Sequence, residues 1–537
     1  MTNADDRVNN VSDNETFEDV MESRLSRRSF LGDGLAAATL TALGGFGTLV
    51  EDVPAQTRAA RKPLLGFPSV PIPREPNDTV IVPDGYTPTL LISWGDPVSD
   101  GPTFKPDASN SAADQAQQWG MHNDGLVYFP INGSRRGLLV QNNEYTDDVL
   151  LFPDGTKSWN QEKTNKSLNA HGVSVIEIAK QGRAWKVVRP SRYGRRITGM
   201  TPMEISGPAA GDRRLITSAD PTGRKVLGTF QNCAMGFTPW NTYLTCEENF
   251  QNCFHHEEIP TDPERRELER RYGIPAPGST YQWHTTDDRF LVKKEPNEPN
   301  RFGWVVEINP FEPKSTPVKR TALGRFRHEG ARVQVARDGR VVVFMGDDEP
   351  FEYIYRYVSR RPWQEAVDAN ASPLDDGDLY VARFNDKGSG EWLPLTPSNP
   401  LLKKAGWSIE SILINTRGAA DIVGATKMDR PEWVETLPNS LTAFVSLTNN
   451  KLRAPGAKAD ADEANPRRSI STVTYSVGHT KRTGPSRLSN GTSSRWPVTR
   501  RSGLTERISK GINMARLTAS TWPRAGGCGF RLTYRGS

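Results

Sequence analysis

Residues 231–250 read QNCAMGFTPWNTYLTCEENF, with Cys233 and Cys246 in one short stretch and Glu247-Glu248 directly after the second. A thiolate among carboxylates is a donor set for a transition metal such as iron. Four other segments also collect hard oxygen ligands or charge. They are VQNNEYTDD at 140–148, FRHEGA at 326–331, MGDDEPFEY at 345–353 and GATKMDRPEW at 424–433. Oxygen-rich sites suit calcium. An arginine beside them, such as Arg430 in the last segment, suits a phosphoryl group, because its planar fork matches two phosphate oxygens at once. Each segment also has an ordinary reading. Acidic doublets in loops are usually solvated, His328 can be a satisfied core histidine, and Cys233 can be a small buried hydrophobe. Walker, HExxH and G-x-S-x-G motifs are absent from the sequence.

Such residues must be brought together by many short elements. The chain has 537 residues with 46 Gly and 40 Pro, 36% hydrophobic and 24% charged, a composition of turns rather than long helices. Between Val80 and Asn450 it reads as short strands: 136–143, 171–179, 303–310, 331–348, 352–359, 379–385 and 441–450. ARDGR between two β-rich runs predicts a hairpin. Alternation predicts one buried face per strand. The fold class is therefore all-β, a sandwich, barrel or propeller, with blade-like units favouring a β-propeller. In a propeller, loops on one face converge on the central channel, so carboxylates far apart in sequence can meet there. The insert EEIPTDPERRELERRYGIP predicts a short charged helix, read as a solvated surface element.

The two ends differ from this body. Arg27-Arg28 precede a Gly/Ala-rich, weakly apolar run to Val50, with Ala55 as an exit, so residues 1–55 resemble a bacterial Tat signal peptide. This predicts handling by the Tat machinery and a periplasmic or secreted protein. In an oxidising compartment one pair among Cys233, Cys246 and Cys253 is expected to bridge, leaving one thiol. Residues 466–537 hold 14 Lys+Arg, a single acid, Glu506, and 21 Ser+Thr. They carry +13 against −8 for the rest. A basic arm usually suggests nucleic acid or anionic lipid, but a secreted propeller has little use for one, and no nucleic-acid partner is expected.

The motifs NCAMGFTPWNTYLTCEENF, RHEGA, DDEPFEYIYRYVS and AADIVGATKMDRPEW, with the Tat-like start, resemble the PhoX-type alkaline phosphatases, from about Leu64 to Asn465. The resemblance implies a six-bladed propeller whose channel holds an iron–calcium cluster that hydrolyses phosphate monoesters outside the cytoplasm. By motif, Cys233 resembles the family's iron-ligating cysteine, and Glu248 and Glu329 its metal carboxylates. Arg430 resembles the phosphate-binding arginine, Glu432 a calcium ligand, and Glu144 a further calcium-site carboxylate. Clustered cations and an arginine stabilise phosphoryl charge, so no Ser or Thr nucleophile is required. A monomer is expected. Where the resemblance stops, the family continues with another blade. An out-of-frame reading of the chain's end resembles a family strand, so 466–537 reads as a frame-shifted, disordered tail and the last blade as incomplete. The competing functions are a non-catalytic, calcium-stabilised propeller that binds partners, and another propeller hydrolase of lactonase or phytase type. Arg430 and Cys233 favour the phosphatase.

Overall fold

The computed structural model describes residue 70, residues 79–470 apart from 132, 275–277, 386–388 and 439, and the strands at 474–479 and 498–501. The expected signal peptide lies outside these residues. The chain divides into two units, and the sheets and site described below belong to the one that begins at Leu90 and runs through Val498.

That unit is mostly β. The first sheet holds β1 (Asn123–Pro130), β2 (Arg136–Asn143), β3 (Gly172–Gln181), β4 (Ala184–Val187) and β5 (Arg195–Ile197). The second holds β6 (Pro202–Ser206), β7 (Lys225–Leu227), β8 (Asn232–Phe237), β9 (Tyr243–Glu247), β10 (Val305–Ile308) and β11 (Val318–Arg320). The third holds β12 (His328–Val335), β13 (Arg340–Asp347), β14 (Ile354–Pro362), β15 (Gly377–Asn385) and β16 (Ser389–Pro394). The fourth contains β17 (Pro431–Thr436), β18 (Thr442–Leu447) and β19 (Thr474–His479). Among the described pairings, all between strands are antiparallel except that of β6 with β11. The ARDGR hairpin forms as expected, Ala336 N–H donating to Arg340 O at 2.8 Å and Gly339 adopting φ +80°.

β1, β8, β12 and β17 are each the edge strand of their sheet, and they pack against one another in chain order. Glycines permit this approach. A Cβ at Gly236 would lie 1.9 Å from Ala331 O, and one at Gly125 2.8 Å from the Met235 side chain. These are distances at which no larger residue fits.

The expectation of one buried face per strand fails for the central strands. β2, β3 and β13 are buried along nearly their whole length. On β13, Val341, Val343 and Met345 enter the main core, while Val342 and Phe344 pack with Val434, Ala443 and Val445 of the fourth sheet. A strand with a core on each side is apolar at every position, and the period-two signal vanishes.

Past Asn465, Ile470 bridges Asn450 and β19 pairs with β18 along its length; most of the expected tail lies outside the described residues. One further expectation is corrected. The charged insert is a helix, Pro263–Tyr272, capped by Asp262 and closed by Gly273 at φ +66°, but it is not simply solvated. Leu268, Glu269 and Tyr272 are buried. Arg271 makes a two-pronged ion pair with buried Glu352 at 2.7 and 2.8 Å.

Candidate active site

The four edge strands share one local plan. Each pairs with the next strand in sequence as a hairpin: β1–β2, β8–β9, β12–β13 and β17–β18. In each, the pairing slips near the start of the first strand, between Asn123 and Leu126, Asn232 and Met235, Glu329 and Arg332, and Pro431 and Val434. A bulge of this kind bends a strand and re-aims a side chain. The second residues of these strands are Asp124, Cys233, Glu329 and Glu432. Immediately beyond the partner strands of the first three hairpins come Glu144, Glu248 and Asp348. Their N–H groups donate to the carbonyls of His122, Gln231 and Arg327, the residues before each first strand, at 2.9, 2.9 and 3.1 Å. His122, Gln231 and Arg430 hold these corners with φ of 44°, 56° and 52°.

The side chains so delivered converge. The donor atoms of Asp124, Glu144 and Cys233 lie within 4.8 Å of one another, as do those of Cys233, Glu248 and Glu329. Cys233 Sγ donates toward Asp124 Oδ2 at 3.2 Å and Glu329 Oε1 at 3.1 Å. Arg430 Nη2 donates to Asp348 Oδ2 at 2.7 Å and stands 3.9 Å from Glu432 Oε1. The Arg430 side chain keeps 29% of its surface exposed.

Crowding shapes the electrostatics. Burial, then the neighbouring Glu329 and Asp124, pushes the Cys233 thiol well up. Burial, then Glu248 and Asp348, does the same to Glu329, and burial and Asp348 to Glu248. Glu144 rises to about 7 through burial and the charges of Asp124 and Asp348; Glu432 rises to about 7 through burial and Asp348. Burial also raises Asp124, and raises Asp348 against the opposing pull of Arg430. Glu329 Oε2 and Asp348 Oδ1 are buried without a hydrogen-bond partner. A cluster of carboxyls that resist ionisation, with orphaned oxygens and one thiol, fits metal cations, whose charge would relieve the repulsion.

Comparison with known proteins agrees. The family Alkaline phosphatase PhoX matches residues 67–521. The chain belongs to the PhoX alkaline phosphatase family. A solved structure of Pseudomonas fluorescens PhoX in complex with vanadate, a transition state analogue, is 44% identical. It covers 81% of this chain and 76% of its own, at a TM-score of 0.74. No curated protein matches the chain. This PhoX-family chain is accordingly a phosphoric monoester hydrolase.

All six residues singled out in the sequence, Glu144, Cys233, Glu248, Glu329, Arg430 and Glu432, come together. The sequence reading left out two that stand with them. Asp348 lay within a quoted acidic segment but was not singled out, and Asp124 lay in none. A signal for Asp124 exists: His122-Asn123-Asp124-Gly125, Gln231-Asn232-Cys233-Ala234, Arg327-His328-Glu329-Gly330 and Arg430-Pro431-Glu432-Trp433 are in phase. The site-bearing position is a potential metal donor in all four, while the others agree at most in pairs, as Arg327 with Arg430 and Asn123 with Asn232.

The acidic doublet after Cys246 divides. Glu247 turns inward to Lys319 at 2.7 Å and to the N–H groups of Gly303 and Trp304, while Glu248 faces the site. The expected disulfide does not form: Cys233, Cys246 and Cys253 are all free thiols, the last two fully buried in the apolar core. His328 follows its ordinary reading, its Nε2 2.8 Å from Gly324 O, its ring stacked on Phe326, and burial holding it neutral with a pKa near 3.

A pH dependence follows. Between their ordinary 4.5 and about 7, Glu144 and Glu432 bind protons more tightly in the folded chain than in the unfolded one. Folding stability contributed by these groups is therefore present at low pH and lost as pH rises through about 7. Metal-free protein should melt lower at about pH 8 than at about pH 5, and divalent cations should recover the loss at the higher pH. A metal-free melting temperature that rises across this window would contradict the assignment.

Proposed function

We propose that this chain is a monomeric six-bladed propeller enzyme, exported through the Tat pathway, that cleaves phosphate monoesters outside the cytoplasm using iron and calcium. The propeller reading rests on the four sheet-edge strands that pack side by side and deliver the site residues. The observation that carries the metal reading is a single cysteine, Cys233, within reach of four carboxylates and beside a partly exposed arginine. In this reading Cys233 would hold iron with Glu248 and Glu329 as metal carboxylates, and Glu144 and Glu432 would hold calcium, with Asp124 and Asp348 as further oxygen donors. Bound metal ions supply the positive charge on which phosphoryl transfer depends.

The chain's own groups do the rest. Arg430 is tethered through one nitrogen to Asp348, which leaves its other donors to grip the phosphoryl oxygens and orient them. Asp348 in turn is fixed by its neighbour: Asp347 is gripped by Arg417 through two nitrogens, one of them Nε at 2.8 Å, and both residues are fully buried. A rigid strand end under the arginine reduces the reorganisation needed when charge develops on the substrate.

Metal analysis of the purified chain tests the reading. Iron together with calcium, and loss of phosphomonoesterase activity on chelation, is the expected result. Calcium alone would return the chain to a calcium-stabilised binding propeller or a phytase-like hydrolase.

A further inference from the structure

The fourth hairpin breaks the plan at one position. Where the first three carry Glu144, Glu248 and Asp348, the residue after β18 is Thr448. The equivalence is geometric: Thr448 N–H donates to Arg430 O at 3.2 Å, as the other three donate to the residue before their own first strand. Thr448 thus occupies a place in the site where every sibling is an acid. Its Oγ1 is buried and makes no hydrogen bond of good geometry.

The third hairpin shows what acids do at this place. There the residue before the strand is also an arginine, Arg327, and the two residues after the partner strand are Asp348 and Glu349. Arg327 is drawn to Glu349, Nη2 to Oε2 at 3.4 Å, and that carboxylate also accepts from Arg417 at 2.8 Å. Arg327 keeps 15% of its side chain exposed, half the 29% of Arg430. One of two equivalent arginines is consumed by its own hairpin's acids. The other has Thr448-Asn449 in their place; it donates to Asp348 of the neighbouring hairpin at 2.7 Å and stands 3.9 Å from Glu432 of its own.

We propose that Thr448 is a specificity residue: a neutral side chain where the sibling hairpins carry acids, it leaves the Arg430 fork open to the phosphoryl group. The inference rests on Arg430 as the phosphate-binding residue. It explains why one hairpin departs from an otherwise repeated acidic position. A carboxylate at 448 would lie one backbone hydrogen bond from Arg430 and compete for the same donors as the substrate, since charge-assisted forked pairing is the strongest contact an arginine makes.

The test uses the full-length, metal-loaded chain and three variants, Thr448→Asp, Thr448→Val and Thr448→Ser. The readouts are kcat and KM on an aryl phosphate, the inhibition constant of inorganic phosphate, metal content per chain and thermal melting. Thr448→Asp should raise both KM and the phosphate inhibition constant about tenfold or more, at unchanged metal content and with a smaller change in kcat. Thr448→Val and Thr448→Ser, which add no charge beside Arg430, should raise the phosphate inhibition constant far less than Thr448→Asp does. On an Arg430→Lys background, Thr448→Asp should add little, because the two changes act on one contact. Wild-type phosphate inhibition in Thr448→Asp, or a weakening explained by metal loss, would overturn the proposal. Failure of the underlying reading is separable. If Arg430→Lys leaves phosphate inhibition unchanged, Arg430 itself is not the phosphate ligand. If Arg430→Lys weakens phosphate binding and Thr448→Asp does not, only the role of Thr448 falls.

Discussion

Cys233→Ser should strip iron from the protein and lower phosphomonoesterase turnover by about a hundredfold or more, the scale of losing a charge-stabilising group from a phosphoryl-transfer site, while the strands stay folded. The reason the fold survives lies in the metal-free geometry. Cys233 Sγ is a donor poised between Asp124 Oδ2 and Glu329 Oε1, at 3.2 and 3.1 Å. A serine hydroxyl can make the same hydrogen bonds, so the carboxylates keep a partner. What serine cannot supply is a soft thiolate at ordinary pH. Cys246→Ser is the matching control, and it should fail differently. Cys246 is fully buried in the apolar core, so its replacement places a hydroxyl among hydrocarbon at a cost of roughly 1–3 kcal/mol and should lower the melting temperature with iron retained. Metal content, circular dichroism and turnover measured on both variants separate the two roles. If both keep iron and activity, Cys233 is not the ligand.

Much of this was readable in the sequence because metal chemistry restricts residue type. A thiol near clustered acids, and an arginine beside an acid, carry chemical meaning, but it was the resemblance to the PhoX family that singled out Cys233, Glu248, Glu329, Arg430, Glu432 and Glu144 among them. What escaped had physical reasons. Asp124 is a lone acid at the start of a strand, in HNDG, and forms no acidic run that would mark it. The fourfold hairpin plan repeats a backbone geometry, a bulge and a corner, and backbone geometry leaves little trace in side-chain identity: glycine, alanine and tryptophan follow the site residue in different copies. The central strands lost their alternation because each faces two cores. Strict alternation would set Cys246 and Glu248 on one face, but β9 ends at Glu247 and Cys246 lies in the core.

Arg430→Lys should lower kcat/KM at least about tenfold, roughly 1.4 kcal/mol of transition-state stabilisation, with little effect on folding. Lysine is the discriminating replacement because Arg430 has two separable duties. One is structural, the single contact from Nη2 to Asp348 Oδ2 at 2.7 Å. An ammonium group can make that contact and keep the positive charge that opposes the rise in the Asp348 carboxyl. The other duty needs a second and third donor in a fixed plane, facing outward from a side chain that is 29% exposed. An ammonium bound to Asp348 has no planar fork left for phosphate oxygens. The backbone does not interfere with the comparison, since the left-handed corner at φ 52° is equally strained for either side chain. If Arg430 served only to hold Asp348, lysine would restore nearly full activity. If it grips the transferring group, Arg430→Lys should retain its melting temperature and metal content while losing rate and weakening inhibition by inorganic phosphate. An unchanged rate would remove Arg430 from the reacting site and leave the carboxylate cluster without the side chain that selects a phosphoryl group.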